Sequence, residues 1–192
     1  MTTLPSALSF RPLTSADLPL LYEWLGRPHV AEWWPPPPSF AELEAEFGPL
    51  LDEASTTRPY LVLGDGRPIG YIQSYVALGS GDGWWPDEVD PGVRGIDQFL
   101  AHAEHLGRGL GTAMVRAFVA RLLADPAVTR VQTDPSPANA RAIRCYEKAG
   151  FRRVGVVDTP DGPALLMYCE RSELGSAPAT SSPTHRPSHP RP

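Results

Sequence analysis

The chain has 192 residues, of which 42% are hydrophobic and 20% charged, and this composition is typical of one ordinary globular domain. Its net charge of −5 argues against nucleic acid as the main partner, because phosphate binding needs clustered Lys and Arg, and is compatible with a cationic ligand. The two cysteines lack the spacing of a metal site, so we expect no metal. The sequence shows neither a signal peptide nor an apolar run of roughly 20 residues, so we expect a cytoplasmic protein without a membrane partner.

The first predicted elements are a strand and a helix. LSFRPL is typical of a strand, and LPLLYEWL, whose leucines recur on one helical face, of a helix. Thr14 and Asp17 form a possible capping box at the start of this helix. We expect Pro28 to end it, because proline interrupts the helical hydrogen bonds.

A proline run and a hairpin follow. The four consecutive prolines of residues 35–38 predict an irregular segment, because they exclude helices and sheet ladders. Ser39 and Glu42 form a second possible capping box, before a helix of about twelve residues. PYLVL and PIGYIQSYVAL, joined by a turn at Gly64–Gly66, predict a β-hairpin.

The next stretch, GSGDGWWPDEVDPGVRGIDQ, has too many glycines and prolines for a helix and is too polar for a core strand. It places two tryptophans among carboxylates: Trp84, Trp85, Asp82, Asp87, Glu88, Asp90 and Asp97. Two interpretations stay open. The stretch is either a solvated acidic loop with its tryptophans in the core, or a receptor for a cationic ligand.

The motif LGRGLGT lies between a strand near GIDQFLA and an amphipathic helix. Glycines at 107, 109 and 111 let a ligand approach the backbone, and the N–H groups and dipole of the helix favour an anion such as a pyrophosphate. The alternative is a plain glycine turn. The motif lacks the Gly-Lys-Ser/Thr ending of a P-loop, and no acidic residue follows in the register of a dinucleotide fold.

The remaining elements complete a mixed α+β order. The helix after the glycines has an apolar stripe of Leu110, Met114, Val115, Phe118 and Leu122, and it ends before Asp125 and Pro126. VTRVQTD predicts a short strand, NARAIRCYEKAG a helix closed by Gly150, and FRRVGVVD with PALLMYCE a final hairpin around TPDG. We expect the folded domain to span residues 8–171 and the Pro/Ser/Thr-rich residues 172–192 to form a disordered tail.

The helix NARAIRCYEKAGF carries a second chemical signal, because Asn139 and Tyr146 lie on neighbouring faces. Asn139 is either the N-cap or a group that binds a ligand amide, and Tyr146 is either a core residue or a functional one. Cys145 points about 100° away from Tyr146 around the helix, so we do not expect it to act as a nucleophile. It is more simply a small buried residue, like Cys169.

Together the two motifs resemble those of the GNAT acetyltransferase superfamily. The family pattern N-x-x-A-x-x-x-Y-x-x-x-G-F is met by Asn139, Ala142, Tyr146, Gly150 and Phe151. The glycine-rich loop is met by Gly109 and Gly111, although Leu106 stands where the superfamily usually has Arg or Gln. More narrowly, residues 18–167 are similar to the aminoglycoside 6′-N-acetyltransferases, apart from the proline run.

This resemblance implies a fold, a donor and a substrate. The expected GNAT fold is a single mixed, mostly antiparallel sheet flanked by helices, with a central V-shaped opening for acetyl-CoA. The expected cofactor-binding residues are Leu106, Gly107, Arg108, Gly109, Leu110, Gly111, Thr112, Asn139 and Tyr146. The expected aminoglycoside-binding residues are Trp34, Gln73, Tyr75, Asp82, Trp84, Trp85, Asp97, Asp134 and Asp161. The protein is expected to be a monomer or a weak homodimer.

The resemblance also implies direct acetyl transfer to an amine. Asp97 is the first candidate for the base and Asp134 the second, while Tyr146 would protonate or hydrogen-bond the departing thiolate. Main-chain N–H groups after Asp97 would hold the thioester carbonyl. Two rivals stay open: a GNAT enzyme for another amine, such as a polyamine or a protein N-terminus, and a non-catalytic binding module.

Overall fold

A single sheet of seven strands forms the centre of the molecule, in the order β1-β2-β3-β4-β5-β7-β6. The computed structural model describes residues 5–81 and 83–171, so that Asp82 and the predicted tail lie outside the described residues. The strands are β1 (Leu8–Pro12), β2 (Thr57–Gly64), β3 (Arg67–Val76), β4 (Val93–Leu100), β5 (Arg130–Thr133), β6 (Arg152–Thr159) and β7 (Gly162–Glu170). The α-helices in this part of the chain are α1 (Leu18–Leu25), α2 (Pro28–Ala31), α3 (Phe40–Phe47), α4 (Leu110–Leu123) and α5 (Ala140–Ala149).

The centre of the sheet contains an opening. All neighbouring strands are antiparallel except β4 and β5, which run parallel. Their ladder joins residues 93–95 to 130–132, although β4 continues to Leu100. The two strands therefore separate beyond Gly95. The predicted α+β fold, with a mixed and mostly antiparallel sheet and a V-shaped opening, is confirmed.

The bounds of α1 agree with the predicted segment LPLLYEWL, and a short helix that was not predicted follows it. Asp17 Oδ2 accepts hydrogen bonds from the backbone N–H and the hydroxyl of Thr14, at 2.9 and 2.6 Å, which gives the predicted capping box. Arg27, the residue before Pro28, has an extended backbone, so the helix ends ahead of this proline as expected. The helix ends at Leu25, and Pro28 is the first residue of α2, a position where its missing N–H costs nothing.

The helix predicted after the proline run is divided into two pieces. Ser39 and Glu42 form the predicted capping box at the start of α3. The α-helical part has only eight residues and continues as a 3₁₀ turn, Gly48–Leu51, around Pro49. Proline cannot donate the hydrogen bond that would continue an α-helix, and this accounts for the change.

Two hydrophobic cores cover the two faces of the sheet. On one face, α4 and α5 bury residues such as Phe118 and Ile143; on the other, α1 and α3 bury residues such as Trp24 and Phe47. The predicted stripe of α4 faces the first core, with Leu122 only partly buried. No helix among the described residues is long and apolar enough to span a membrane.

Candidate active site

A cavity of about 1030 Å³ lies where β4 and β5 separate. From the predicted substrate site it gathers Trp34, Gln73, Tyr75, Trp84, Asp97, Asp134 and Asp161. From the predicted cofactor site it gathers Leu106, Gly107, Gly109, Gly111, Thr112, Asn139 and Tyr146. Residues that are far apart in the sequence thus line one continuous space.

The other predicted site residues lie elsewhere. Trp85 lines a separate cavity of about 360 Å³ within the loop that follows β3. The side chain of Leu110 is buried in the core under α4, so that only its main chain could face a ligand. Arg108 does not line the large cavity. Asp82 is outside the described residues.

Tyr75 forms part of the cavity wall because Gly95 makes room for it. The two residues face each other across β3 and β4, and a Cβ atom at Gly95 would lie 1.9 Å from Tyr75 Cζ. No side chain other than hydrogen fits beneath this ring. Trp85 Nε1 donates to the Tyr75 hydroxyl at 3.2 Å, so Trp85 supports the wall from behind.

The loop between β3 and β4 is fastened to β5. Arg130 Nη2 lies 2.6 Å from Glu88 Oε2, and the Thr129 hydroxyl donates to Asp90 Oδ2 at 2.7 Å. Glu88 and Asp90, two of the acidic residues in the stretch predicted as a possible cation receptor, thus form contacts within the protein instead. Trp84 is left to line the cavity.

Three carboxylates face one another across the cavity: Asp97 on β4, Asp134 after β5, and Asp161 in the β6–β7 turn. Burial raises the pKa of Asp134 to about 7, with further contributions from the negative charges of Asp97 and Asp161. Burial also raises the pKa of Asp97, while the hydrogen bond from Gln73 opposes this change. Such a set attracts cations, and Asp134 can exchange a proton near neutral pH.

Tyr146 on α5 is a buried proton donor beside these carboxylates. Its hydroxyl interacts with the side chains of Thr133 and Gln98, and its ring packs on Phe151 at 5.4 Å between centroids. Burial raises the pKa of Tyr146 above its usual value, so the phenol keeps its proton throughout the physiological range.

The glycine-rich loop has the backbone shape that the sequence predicted. Gly107 and Gly109 have φ of +72° and +86°, a region that favours glycine, and Gly109 is the N-cap of α4. The first N–H groups of α4 have no partner within the helix, so they can bind an anion. Leu106 lines the cavity and packs against the core.

The opposite wall of this end of the cavity is α5. Asn139 Oδ1 accepts a hydrogen bond from the Ala142 N–H at 3.0 Å, so Asn139 is the N-cap, and it also lines the cavity. Cys145 lies on the same side, where the Thr112 hydroxyl donates to its sulfur at 3.6 Å. Burial raises the pKa of the Cys145 thiol, which is the opposite of what an activated nucleophile needs.

The sequence analysis missed several residues that line the cavity. Arg141, Arg144 and Lys148 follow at spacings of three and four on α5, a pattern that was available in the sequence. Glu46 lies on α3. Its sequence neighbourhood does not distinguish it from the acidic surface residues of an ordinary amphipathic helix. Among the described residues, no group of His, Cys, Asp and Glu could hold a metal ion.

The sequence model of the acetyltransferase (GNAT) domain matches residues 14–159. Over 174 residues, the chain is 55% identical to aminoglycoside N(6′)-acetyltransferase type 1 of Klebsiella pneumoniae, covering 89% of this chain and 87% of that protein. The chain belongs to this family of GNAT acetyltransferases.

Solved structures share the fold of this acetyltransferase. The crystal structure of aminoglycoside acetyltransferase AAC(6′)-Ib with coenzyme A and kanamycin superposes with a TM-score of 0.83 at 56% identity, covering 87% of this chain and 96% of that one. An AAC(6′)-Ib structure that contains acetyl-CoA gives a TM-score of 0.85 at 53% identity, covering 92% and 100% of the two chains. The fold and family predicted from the sequence motifs are thereby confirmed.

Proposed function

We propose that this acetyltransferase transfers the acetyl group of acetyl-CoA to the 6′-amine of aminoglycoside antibiotics and so confers resistance. The observation that carries the proposal is a single cavity with a glycine-rich helix N-terminus at one end and carboxylates beside aromatic rings at the other. The named activity of the 55% identical relative, and the kanamycin bound in the AAC(6′)-Ib structure, support the same substrate class.

The donor end of the cavity fits a long anionic ligand. Acetyl-CoA supplies the acetyl group as a thioester and carries phosphates. The first N–H groups of α4 would bind the pyrophosphate, and the positive end of the helix dipole favours its charge. The basic face of α5, formed by Arg141, Arg144 and Lys148, adds positive charge to this end.

The acceptor end fits a polyamine-like sugar. Aminoglycosides carry several protonated amines on sugar rings, and carboxylates bind such amines through charge-assisted hydrogen bonds. Asp97, Asp134 and Asp161 provide the carboxylates. Trp84 and Tyr75 provide aromatic faces that pack against the C–H faces of sugars.

Direct transfer requires proton movements at the amine and at the leaving sulfur, and residues of the cavity can perform them. The 6′-ammonium must lose a proton before its nitrogen attacks the thioester carbon, and we assign the acceptor of that proton to Asp97, directly or through water. Asp134, with a pKa of about 7, is the second candidate. The carbon–sulfur bond then breaks, and the phenol of Tyr146 protonates the thiolate that leaves. The acetylated nitrogen loses its second proton as the amide forms, and that proton restores the phenol of Tyr146.

Acceptor specificity provides the test. We expect coenzyme A release with kanamycin, and little release with an analogue that has a 6′-hydroxyl, with spermidine or with a peptide N-terminus. Mass spectrometry and NMR of the product should place the acetyl group on the 6′-nitrogen. Equal turnover of spermidine or the peptide would instead support a GNAT enzyme for another amine, and no turnover would support a binding module.

A further inference from the structure

A chain of hydrogen bonds connects the protein interior to Asp97. The Tyr71 hydroxyl donates to Gln73 Oε1 at 2.7 Å, and Gln73 Nε2 donates to Asp97 Oδ2 at 2.9 Å. Tyr71 and Gln73 are two residues apart on β3, and so their side chains lie on the same face of the sheet. Gln73 lies directly opposite Asp97 on β4, and therefore strand register alone brings the three groups together.

We propose that Tyr71 is a positioning residue for acetyl transfer, which fixes the Gln73 amide with its N–H toward Asp97 and thereby holds Asp97 in the ionised form that accepts a proton. The proposal rests on the proposed function for its kinetic consequences. It concerns a residue that does not line the cavity, since Tyr71 is fully buried.

The amide of Gln73 can adopt two orientations. One orientation presents the N–H to Asp97 and the carbonyl to Tyr71; the other reverses them. An ionised carboxylate only accepts hydrogen bonds, and thus needs the first orientation, whereas a protonated carboxyl can donate to the carbonyl of the second. The orientation of the amide and the protonation of Asp97 are therefore coupled.

Tyr71 favours the first orientation because its own proton needs an acceptor. If the amide reversed, the hydroxyl would face an N–H donor, and its proton would be left among aromatic rings. Those rings are Phe99, stacked at 5.5 Å and 20°, Trp34 at 5.7 Å and Phe47 at 6.0 Å. An unsatisfied buried donor is costly, so the phenol selects the amide orientation that donates to Asp97.

The phenol performs this role across the working pH range. Burial raises the pKa of Tyr71 well above its usual value, and the negative charges of Asp97 and Glu46 add to the effect. Tyr71 therefore remains a donor. The aromatic rings packed on Tyr71 hold its ring in place.

Other groups around Asp97 determine the direction of the effect. Asp161 from the β6–β7 turn and burial raise the pKa of Asp97, and the Gln73 hydrogen bond lowers it. The charge of Asp97 in turn acts on Asp134 after β5, on Tyr75 of β3 and on Tyr146 of α5. Weakening the Gln73 bond therefore raises the pKa of Asp97, and the base is ionised only at higher pH.

The test is the pH profile of kcat/KM for kanamycin with full-length Tyr71→Phe. We expect kcat/KM to fall about three- to tenfold on the acidic side, as a weakened charge-assisted hydrogen bond implies, and to return to within about twofold of the wild type at alkaline pH. KM for acetyl-CoA should not change, because Tyr71 lies on the acceptor side. Tyr60→Phe, which removes a phenol from β2 on the opposite face of the sheet, should leave the profile unchanged.

A double-mutant cycle shows whether Gln73 transmits the effect. In a Gln73→Leu background, Tyr71→Phe should produce no further change in the profile. An equal shift in both backgrounds, or an unchanged profile of Tyr71→Phe in an active enzyme, would overturn the proposal. If Tyr71→Phe lowers thermal stability but does not change the pH profile of kcat/KM, the role of Tyr71 is purely structural, and this result would also overturn the proposal.

A readout that is independent of turnover separates the two proposals. Titration of the Asp97 carboxyl by carbon-13 NMR should show a higher midpoint in Tyr71→Phe than in the wild type, whether or not kanamycin is the substrate. An unchanged midpoint contradicts the role of Tyr71. Absence of kanamycin acetylation by the wild type, together with a shifted midpoint, contradicts only the proposed substrate.

Discussion

Asp134 lines the cavity, and its burial there has a cost in stability. Its pKa of about 7 lies above the usual value for an aspartate in an unfolded chain, because the folded state buries it beside other carboxylates. The folded state therefore binds more protons than the unfolded one between about pH 4 and 7. Over that window, the contribution of Asp134 to stability declines as the pH rises.

Asp134→Asn should accordingly stabilise the protein at neutral and alkaline pH. We expect a gain on the order of 2 kcal/mol at pH 8, and a much smaller one near pH 4, where the wild-type carboxyl is protonated in the folded state and only about half ionised in the unfolded state. The measurement is denaturant unfolding at pH 4, 6 and 8. Asp87→Asn, outside the cavity, is the control and should not change the pH dependence. A uniform loss of stability at every pH would contradict the prediction.

Gly95 is the residue on which the Tyr75 wall depends. In Gly95→Ala the new Cβ would overlap the Tyr75 ring, which must leave its place and its hydrogen bond with Trp85. We expect a loss of about 2 kcal/mol or more in unfolding free energy, typical of overpacking, and a higher KM for the aminoglycoside.

Gly155→Ala is the matched control for this prediction. Gly155 is also a strand glycine, on β6, but a Cβ there would meet no atom within 4 Å. This change should leave KM unaltered and unfolding free energy nearly so. Equal effects of the two substitutions would show that strand flexibility, and not the Tyr75 ring, accounts for the result.

At the scale of elements, α5 combines a structural cap with a ligand-facing surface at Asn139. Asn139→Ala removes the cap and should cost about 1 kcal/mol, whereas Asn139→Asp retains a capping oxygen and should cost much less. Both remove the amide N–H₂ that could bind acetyl-CoA, so both should raise KM for acetyl-CoA. Thermal unfolding and steady-state kinetics separate the two roles. A raised KM only in the destabilised variant would mean that Asn139 acts through the helix alone.

The elements could be predicted where their signals are local. Hydrophobic periodicity, two capping boxes and the glycine that closes α5 predicted most helices and strands. The short helix that begins at Pro28 was not predicted, because a proline can both follow the end of one helix and open the next. The shortened α3 has a local cause in Pro49, which the length estimate overlooked.

The candidate site could be predicted only in part, because a sequence motif identifies residues but not the contacts and charges that other segments bring to them. The glycine loop and Tyr146 belong to sequence motifs and lie in the cavity. The support of Tyr75 by Trp85, by contrast, depends on a loop folding back over β3. The raised pKa of Asp134 depends on charges brought together by three different strands and turns. No pattern within one segment carries such information.

On the scale of the whole molecule, the end of the described chain is secured by Arg171. Its guanidinium donates to the carbonyl oxygens of Leu123, the last residue of α4, and of Asp125 and Val128 after it. The residues after it are rich in Pro, Ser and Thr, with hardly any apolar side chain to bury.

Deletion of residues 175–192 should therefore leave the protein intact. We expect the melting temperature to change by less than about 1 °C and kcat/KM for kanamycin by less than about twofold, because this composition cannot pack. Differential scanning calorimetry and kinetics of the truncated chain provide the measurement. Arg171→Ala is a useful contrast, since it should lower the melting temperature. A drop of several degrees on truncation would show that the segment docks on the domain.

The loop between β3 and β4 has a consequence for how resistance can evolve. Its acidic side chains Glu88 and Asp90 anchor it to the start of β5 and the residue before it, while Trp84 and the hairpin residue Asp161 line the cavity at the proposed acceptor end. Neither of these two residues belongs to the glycine loop or to α5. Natural selection by a new drug can thus act on the acceptor wall through single substitutions, while the inherited machinery for the acetyl donor stays untouched.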